Sequence, residues 1–272
     1  MSSAIIKIFL AALAAGAATA LPQPPTMVSS SMSMPSESAA TPPSPAADLS
    51  FADLVLQPTT VDRFKKIVLG DDGKVLPQEE LAARVIFDFD AQKAAAPGSR
   101  GGAVASANVK TFPILTGLDI STTVGFLGPC GLNTPHIHPR ATEFLTLANG
   151  TLDFGFILEN GLVDAGKGSA EVAGRLHQFQ GAVFPIGSIH YQVNPTCDPV
   201  VFIATLNSED PGVSQVAQNF FGLDGDVVSA TLGFPESLDG KDIESFRKQI
   251  PANLAVGIEQ CLATCGIPKT VY

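Results

Sequence analysis

Apolar residues in the middle of this chain recur in short alternating or continuous runs broken by glycine, proline and asparagine, the pattern of an antiparallel β protein. Glu143–Ala148, Thr151–Leu158, Gly181–Pro185, Ile189–Asn194 and Pro199–Leu206 read as strands rich in β-branched and aromatic residues. Asn149-Gly150 between the first two predicts a two-residue hairpin, and Asn160-Gly161 repeats the device. Phe154, Phe156, Phe184 and Phe202 are expected in the core.

The flanks read differently. Asp62–Leu69 and Gln78–Val85 have short-helix spacing, and Lys93–Ala105, with its glycines and Pro97, reads as a loop. Beyond the strands, Val213–Phe221, Asp242–Gln249 and Ala252–Ala263 carry helix-compatible patterns. The chain therefore divides into residues 51–105 as an N-terminal extension, 106–211 as a β-barrel and 212–272 as a helical extension. Residues 1–20, with Lys7, a short apolar stretch and Ala18-Thr-Ala20, read as a signal peptide rather than a membrane anchor. Residues 21–50, rich in proline and serine, read as a disordered leader. The expected product is secreted, extracellular or in a cell wall.

Chemistry concentrates in two stretches of the barrel. Gly131-Leu-Asn-Thr-Pro-His136-Ile-His138-Pro-Arg-Ala-Thr-Glu143 is followed about fifty residues on by Gly181-Ala-Val-Phe-Pro185-Ile-Gly187-Ser-Ile-His190-Tyr-Gln-Val-Asn194. On a strand, residues i and i+2 face the same way, so His136 and His138 share a face, as do His190, Gln192 and Asn194. Pro139–Thr142 reads as a bend that brings Glu143 back toward the two histidines. Three of the four histidines in the chain fall in this frame, and only His177 lies outside it. Imidazoles and a carboxylate without thiolates suit Mn, Fe, Zn or Ni.

Both stretches resemble the two signature motifs of the cupin superfamily, and more closely its germin-like and spherulin-like branch. Cys130 stands where the first motif opens with glycine, and the Gly181 to Pro185 spacing is two residues short. The resemblance, from about Phe87 to Pro211, implies an all-β fold: an antiparallel jelly-roll barrel holding a metal inside, with short N-terminal helices and a C-terminal helical extension. It implies manganese on His136, His138, Glu143 and His190, and a homo-oligomer clasped by helices. It also implies a ligand-bonding role for Asn133, whereas a second pocket asparagine of oxalate-oxidising germins would fall on Thr123.

Cys130, Cys197, Cys261 and Cys265 are expected as disulfides in a secreted chain. Position beside the two motifs favours Cys130 with Cys197 and Cys261 with Cys265, with the cross-paired alternatives open. Asn149-Gly-Thr is a glycosylation sequon. The net charge of −10, without a basic run, argues against nucleic acid and anionic membrane as partners. Arg140 reads as a structural ion-pair partner. Two functions of different class follow. One is a manganese-dependent oxidoreductase, oxalate oxidase-like or superoxide dismutase-like, acting on a small carboxylate or a dioxygen species. The other is a non-catalytic extracellular metal-binding protein of structural or stress-related role.

Overall fold

A computed structural model of the chain describes residues 51–95, 99–164, 166–234, 250–251 and 253–268. The expected signal peptide, leader and Asp242–Gln249 helix lie outside them. Two antiparallel sheets pack face to face. One runs in the order β1 (Gly102–Ala107), β2 (Ser121–Leu127), β9 (Val200–Leu206), β4 (Glu143–Asn149) and β7 (Gly181–Phe184). The other runs β10 (Ser214–Gln215), β3 (Gly131–Ile137), β8 (Ile189–Val193), β5 (Thr151–Ile157) and β6 (Val172–His177), with β11 (Leu254–Val256) also paired to β3. The jelly-roll expectation is met.

Alternation decides what lies between the sheets. Leu145 and Leu147 of β4, Val200, Phe202, Ala204 and Leu206 of β9, Leu152 of β5 and Phe184 of β7 are all at most 3% exposed and form one cluster. Phe154 and Phe156 pack against it, so the four phenylalanines are core as expected. Their intervening neighbours, such as Phe144 and Ile203, face outward.

Three local expectations are corrected. Asn149-Gly150 is not a hairpin: β4 and β5 belong to different sheets, so the dipeptide is a corner between them. A bulge between Leu147 and Asn149 shifts the register of β4 on β9 just before the corner, and Gly150, at φ +96°, passes so close to Val200 that a Cβ there would sit 2.8 Å from Cγ2. β5 and β6 do pair, but through a long connection in which Asn160-Gly161 is only one bend. The supposed loop over Lys93–Ala105 contains the start of β1, which pairs with β2 along its full length. Its small residues, GAVASA, carry little strand signal of their own, and the pairing comes from β2.

The two expected N-terminal helices form, as α2 (Thr60–Val68) and α3 (Gln78–Val85), and a further one, α1 (Phe51–Val55), precedes them. Thr59 caps α2 by accepting the Asp62 amide at 3.1 Å. Leu54 and Ile67 are buried, and Phe87 meets Phe112 edge to face at 5.4 Å. After the barrel come α4 (Val216–Phe220) and α5 (Gly225–Thr231). The helix expected over Ala252–Ala263 is instead β11 followed by α6 (Glu259–Cys265), because Leu254 is drawn into the core and β11 completes the edge of β3. Tertiary pairing overrides the helical spacing.

Disulfide pairing also departs from expectation. Cys130 joins Cys261, and Cys197 joins Cys265. The two cysteines of α6 lie four apart on one helical face, so both thiols point at the barrel end where Cys130 precedes β3 and Cys197 follows β8. Each finds a barrel partner rather than the other.

Candidate metal centre

Each functional side chain is delivered by a strand end. β3 brings His136 and, just past its last residue, His138. Pro139–Thr142 turns the chain into the other sheet, where Glu143 opens β4. β8, directly paired to β3 with His190 opposite His136, supplies the third imidazole. Pro185 to Ser188 makes the preceding turn, with the Ser188 amide donating to the Pro185 carbonyl at 3.0 Å. The donor atoms of the four side chains lie within 4.8 Å of one another. His136, Glu143 and His190 are buried and His138 is nearly so.

The second ring nitrogen of each histidine settles which atom faces the centre. Nδ1 of His136 bonds the Thr134 carbonyl at 2.8 Å, Nδ1 of His138 the Gly212 carbonyl at 2.6 Å, and Nδ1 of His190 the Ser188 carbonyl at 3.0 Å. A carbonyl only accepts, so each Nδ1 carries the proton in its bond. In a neutral ring each Nε2 is then left with a lone pair. His190 Nε2 is buried without a hydrogen-bond partner, and its 3.4 Å approach to Glu143 Oε2 lacks bonding alignment. A buried nitrogen aimed at two other imidazoles and a carboxylate is what a cation would satisfy. The donor set therefore fits a divalent metal, held by His136, His138, Glu143 and His190. Phe184 stacks on His190 at 4.6 Å and fixes the ring plane from the core side.

Electrostatics agree with ligation. Burial, then repulsion from His190, pushes His136 down to about 3 despite the Glu143 charge, so its ring is neutral at physiological pH. Burial would raise Glu143, but the hydrogen bond from His138, the close approach of His190 and the imidazole charges outweigh it and hold the carboxyl at about 2. For His138 burial is the largest influence and lowers the value, yet the 3.0 Å contact with Glu143 and the Gly212 carbonyl together raise it. In the metal-free site Glu143 is thus an anion with its proton donor at His138.

Asn133 lies an odd number of residues before His136, so a regular strand would put it on the opposite face. A bulge between Asn133 and His136 absorbs the extra residue and turns both inward. Pro135, which offers no amide for pairing, sits within it. Asn133 Nδ2 donates to Gln192 Oε1 at 2.7 Å. Gln192, on the His190 face, is thereby the partner of Asn133, a role that strand parity alone does not assign. Arg140 bonds the Asp210 carbonyl at 2.7 Å and its carboxylate at 2.9 Å, an ion pair as expected. His177 lies away from the cluster, at the end of β6.

The site opens on a cavity of about 320 Å³. Asn133, His136 and His138, from β3 and its end, form one wall; Glu143, Ser106, Thr123 and Phe202 of the other sheet form another. Thr123, the position expected to depart from an asparagine, lines it and shares a 2.8 Å hydrogen bond with Ser106. β1, unread in the sequence, is therefore a cavity wall.

The sequence profile of the cupin family matches residues 91–237. Spherulin-1A of Physarum polycephalum is 35% identical over 226 residues, covering 83% of this chain and 82% of that protein. Germin-like protein 8-9 of Oryza sativa subsp. japonica is 41% identical over 123 residues, 45% of this chain and 52% of the relative. Among solved structures, oxalate oxidase in complex with the substrate analogue glycolate aligns with a TM-score of 0.52 at 25% identity, covering 64% of this chain and 85% of that one. Motifs, fold and these likenesses coincide on the same residues: the chain belongs to the cupin family, in its spherulin and germin-like branch.

Proposed function

We propose that this protein is a secreted, manganese-dependent oxidoreductase acting on a small oxygen-rich anion, oxalate-like or superoxide. The observation that carries the reading is the set of three imidazole Nε2 atoms, each oriented by a carbonyl on Nδ1, converging with Glu143 beside a cavity wide enough for a ligand. Manganese held there would supply one-electron exchange with dioxygen species and coordination positions left open to a carboxylate.

The chain's own contributions are orientation and charge. Glu143 offsets part of the cation's charge and favours a higher oxidation state. Gln192 holds the Asn133 amide, leaving Asn133 a second N–H for a ligand oxygen at the cavity wall. The apolar wall of Phe202, Ala204 and Leu206 limits water around the reacting ligand. The two disulfides suit an oxidising compartment, and no helix among the described residues is long and apolar enough to cross a membrane. The exposed corner at Asn149 is accessible to a glycan, and assembly as a homo-oligomer follows the germin resemblance.

One feature favours a second reading, a non-catalytic metal-binding protein. Apart from the four ligands, the ionisable residues among the described lining are Lys110 and Asp210, and Asp210 is engaged by Arg140, so the described lining offers no free carboxylate or imidazole as general base. Metal analysis of the secreted protein, with assays of oxalate-dependent peroxide production and superoxide removal, separates the two. The expected result is stoichiometric manganese with one activity, lost in Glu143→Ala. Bound metal with neither activity overturns the oxidoreductase reading.

A further inference from the structure

Four sulfurs gather at one end of the barrel, outside the metal centre. Cys130, just ahead of β3, is bonded to Cys261, and Cys197, in the turn after β8, is bonded to Cys265. The two bonds touch. Cys130 Sγ lies 3.6 Å from Cys265 Sγ, and the sulfurs of Cys130, Cys261 and Cys265 all fall within 4.8 Å of one another. Helical spacing is the cause: Cys261 and Cys265, four residues apart on α6, stand one above the other on the face that meets Cys130.

Access separates the two bonds. Cys130 is fully buried and Cys261 and Cys265 are half-buried, whereas Cys197 is exposed. A thiolate from solvent therefore meets the Cys197 sulfur first. Its attack forms a bond to Cys197 Sγ, breaks the bond to Cys265 and leaves Cys265 as the thiolate. That thiolate already sits close to the ~3–3.5 Å of a reacting pair, against a buried Cys130 sulfur that no solvent thiol reaches. Shortening 3.6 Å to a bond of about 2.05 Å joins Cys265 to Cys130 and expels Cys261. The expelled sulfur takes up a proton and faces two acceptors, the carbonyls of Asn194 and Thr196, each at 3.9 Å. One thiol and two disulfides enter and one thiol and two disulfides leave, so no oxidant or reductant is consumed.

The turn that carries Cys197 has other supports. Buried Asn194 donates from Nδ2 to the Asp198 carbonyl at 2.7 Å and accepts the Thr196 amide at 2.9 Å. Exchange at Cys197 can therefore proceed with the barrel folded.

We propose that Cys197 is a site of S-thiolation by a small thiol of the glutathione or cysteine class, and that Cys265 passes the exchange inward to Cys130. The modified protein carries a bond between Cys130 and Cys265 and a free thiol at Cys261.

The full-length protein is incubated briefly with glutathione at neutral pH, quenched in acid with N-ethylmaleimide and mapped with pepsin without reduction. The expected product has one glutathione on Cys197, maleimide on Cys261 and a peptide pair joined through Cys130 and Cys265. Glutathione on Cys197 with maleimide on Cys265, and Cys130 still joined to Cys261, overturns the inward transfer. Glutathione on Cys265, or none taken up, overturns the site itself. Cys197→Ser isolates the second step, because Cys265 is then a thiol from the start. In that variant Cys130 should be recovered joined to Cys261 and also to Cys265, and recovery with Cys261 alone overturns the transfer.

Discussion

Gly212→Ala is the substitution that most directly tests how the site is held. Gly212 sits at φ +67°, and its carbonyl accepts from His138 Nδ1 at 2.6 Å. An alanine there costs about 1–2 kcal/mol for the left-handed backbone alone. Its Cβ would also lie 2.8 Å from Arg140 Nη2 and 3.0 Å from Pro139 Cγ. Arg140 is about half exposed and can swing away, giving up an ion pair with Asp210 that contributes at most about 1 kcal/mol. The metal-free protein should therefore lose about 1–3 kcal/mol. A displaced carbonyl also frees His138 to rotate, and losing such an orienting bond weakens metal binding about 10- to 100-fold. At saturating manganese each factor of ten removes a further ~1.4 kcal/mol. Denaturant unfolding in chelator and in excess manganese reads the two contributions separately. An equal loss in both conditions would refute the claim that Gly212 sets the His138 ring.

The other expectations are shorter. His136→Ala should abolish stoichiometric metal and remove the metal-dependent part of the thermal midpoint, worth about 2.7 kcal/mol at a hundredfold excess over Kd; retained metal sinks the ligand assignment. Because His138 is raised above its usual value and bears a proton toward Glu143, manganese binding near pH 6.5 should release protons, seen as a calorimetric enthalpy that changes with buffer. A buffer-independent enthalpy contradicts it. Glu143 at about 2 and His136 at about 3 are both depressed below their unfolded values. Their stabilisation is complete above about pH 6.5 and is lost as pH falls toward those values, while His138 acts in the opposite sense and more weakly. The chelated protein should thus melt at lower temperature at pH 4 than at pH 6.5, and a flat profile counts against the buried charges. Non-reducing peptide mapping should recover Cys130 with Cys261 and Cys197 with Cys265, and reduction should cost several kcal/mol, given loops of 131 and 68 residues, without removing metal from the folded fraction.

What the sequence disclosed depends on how local each signal is. The four ligand positions follow from two-residue parity and a proline bend, both readable over a dozen residues. Asn133 was inferred by resemblance, and the bulge that turns it inward is marked only by Pro135. β2, β6 and β10 also go unread, and among the unread strands β1 and β11 are short or made of small residues and exist because β2 and β3 offer them an edge. The Asn149-Gly150 turn was visible, but a tight turn looks the same whether it joins partners or changes sheets. Disulfide pairing is not local: adjacency to the motifs says nothing of a helix that presents Cys261 and Cys265 together to two barrel partners.

β11 closes the edge of β3 beside Asn133, although more than a hundred residues separate them in the chain. During synthesis that edge, in the strand that carries His136, is made early and receives this partner late. Until residues 254–256 emerge, its backbone amides and carbonyls opposite them are open to any passing strand. The order of manufacture makes the histidine strand the nascent chain's point of vulnerability, and a chaperone would meet it there.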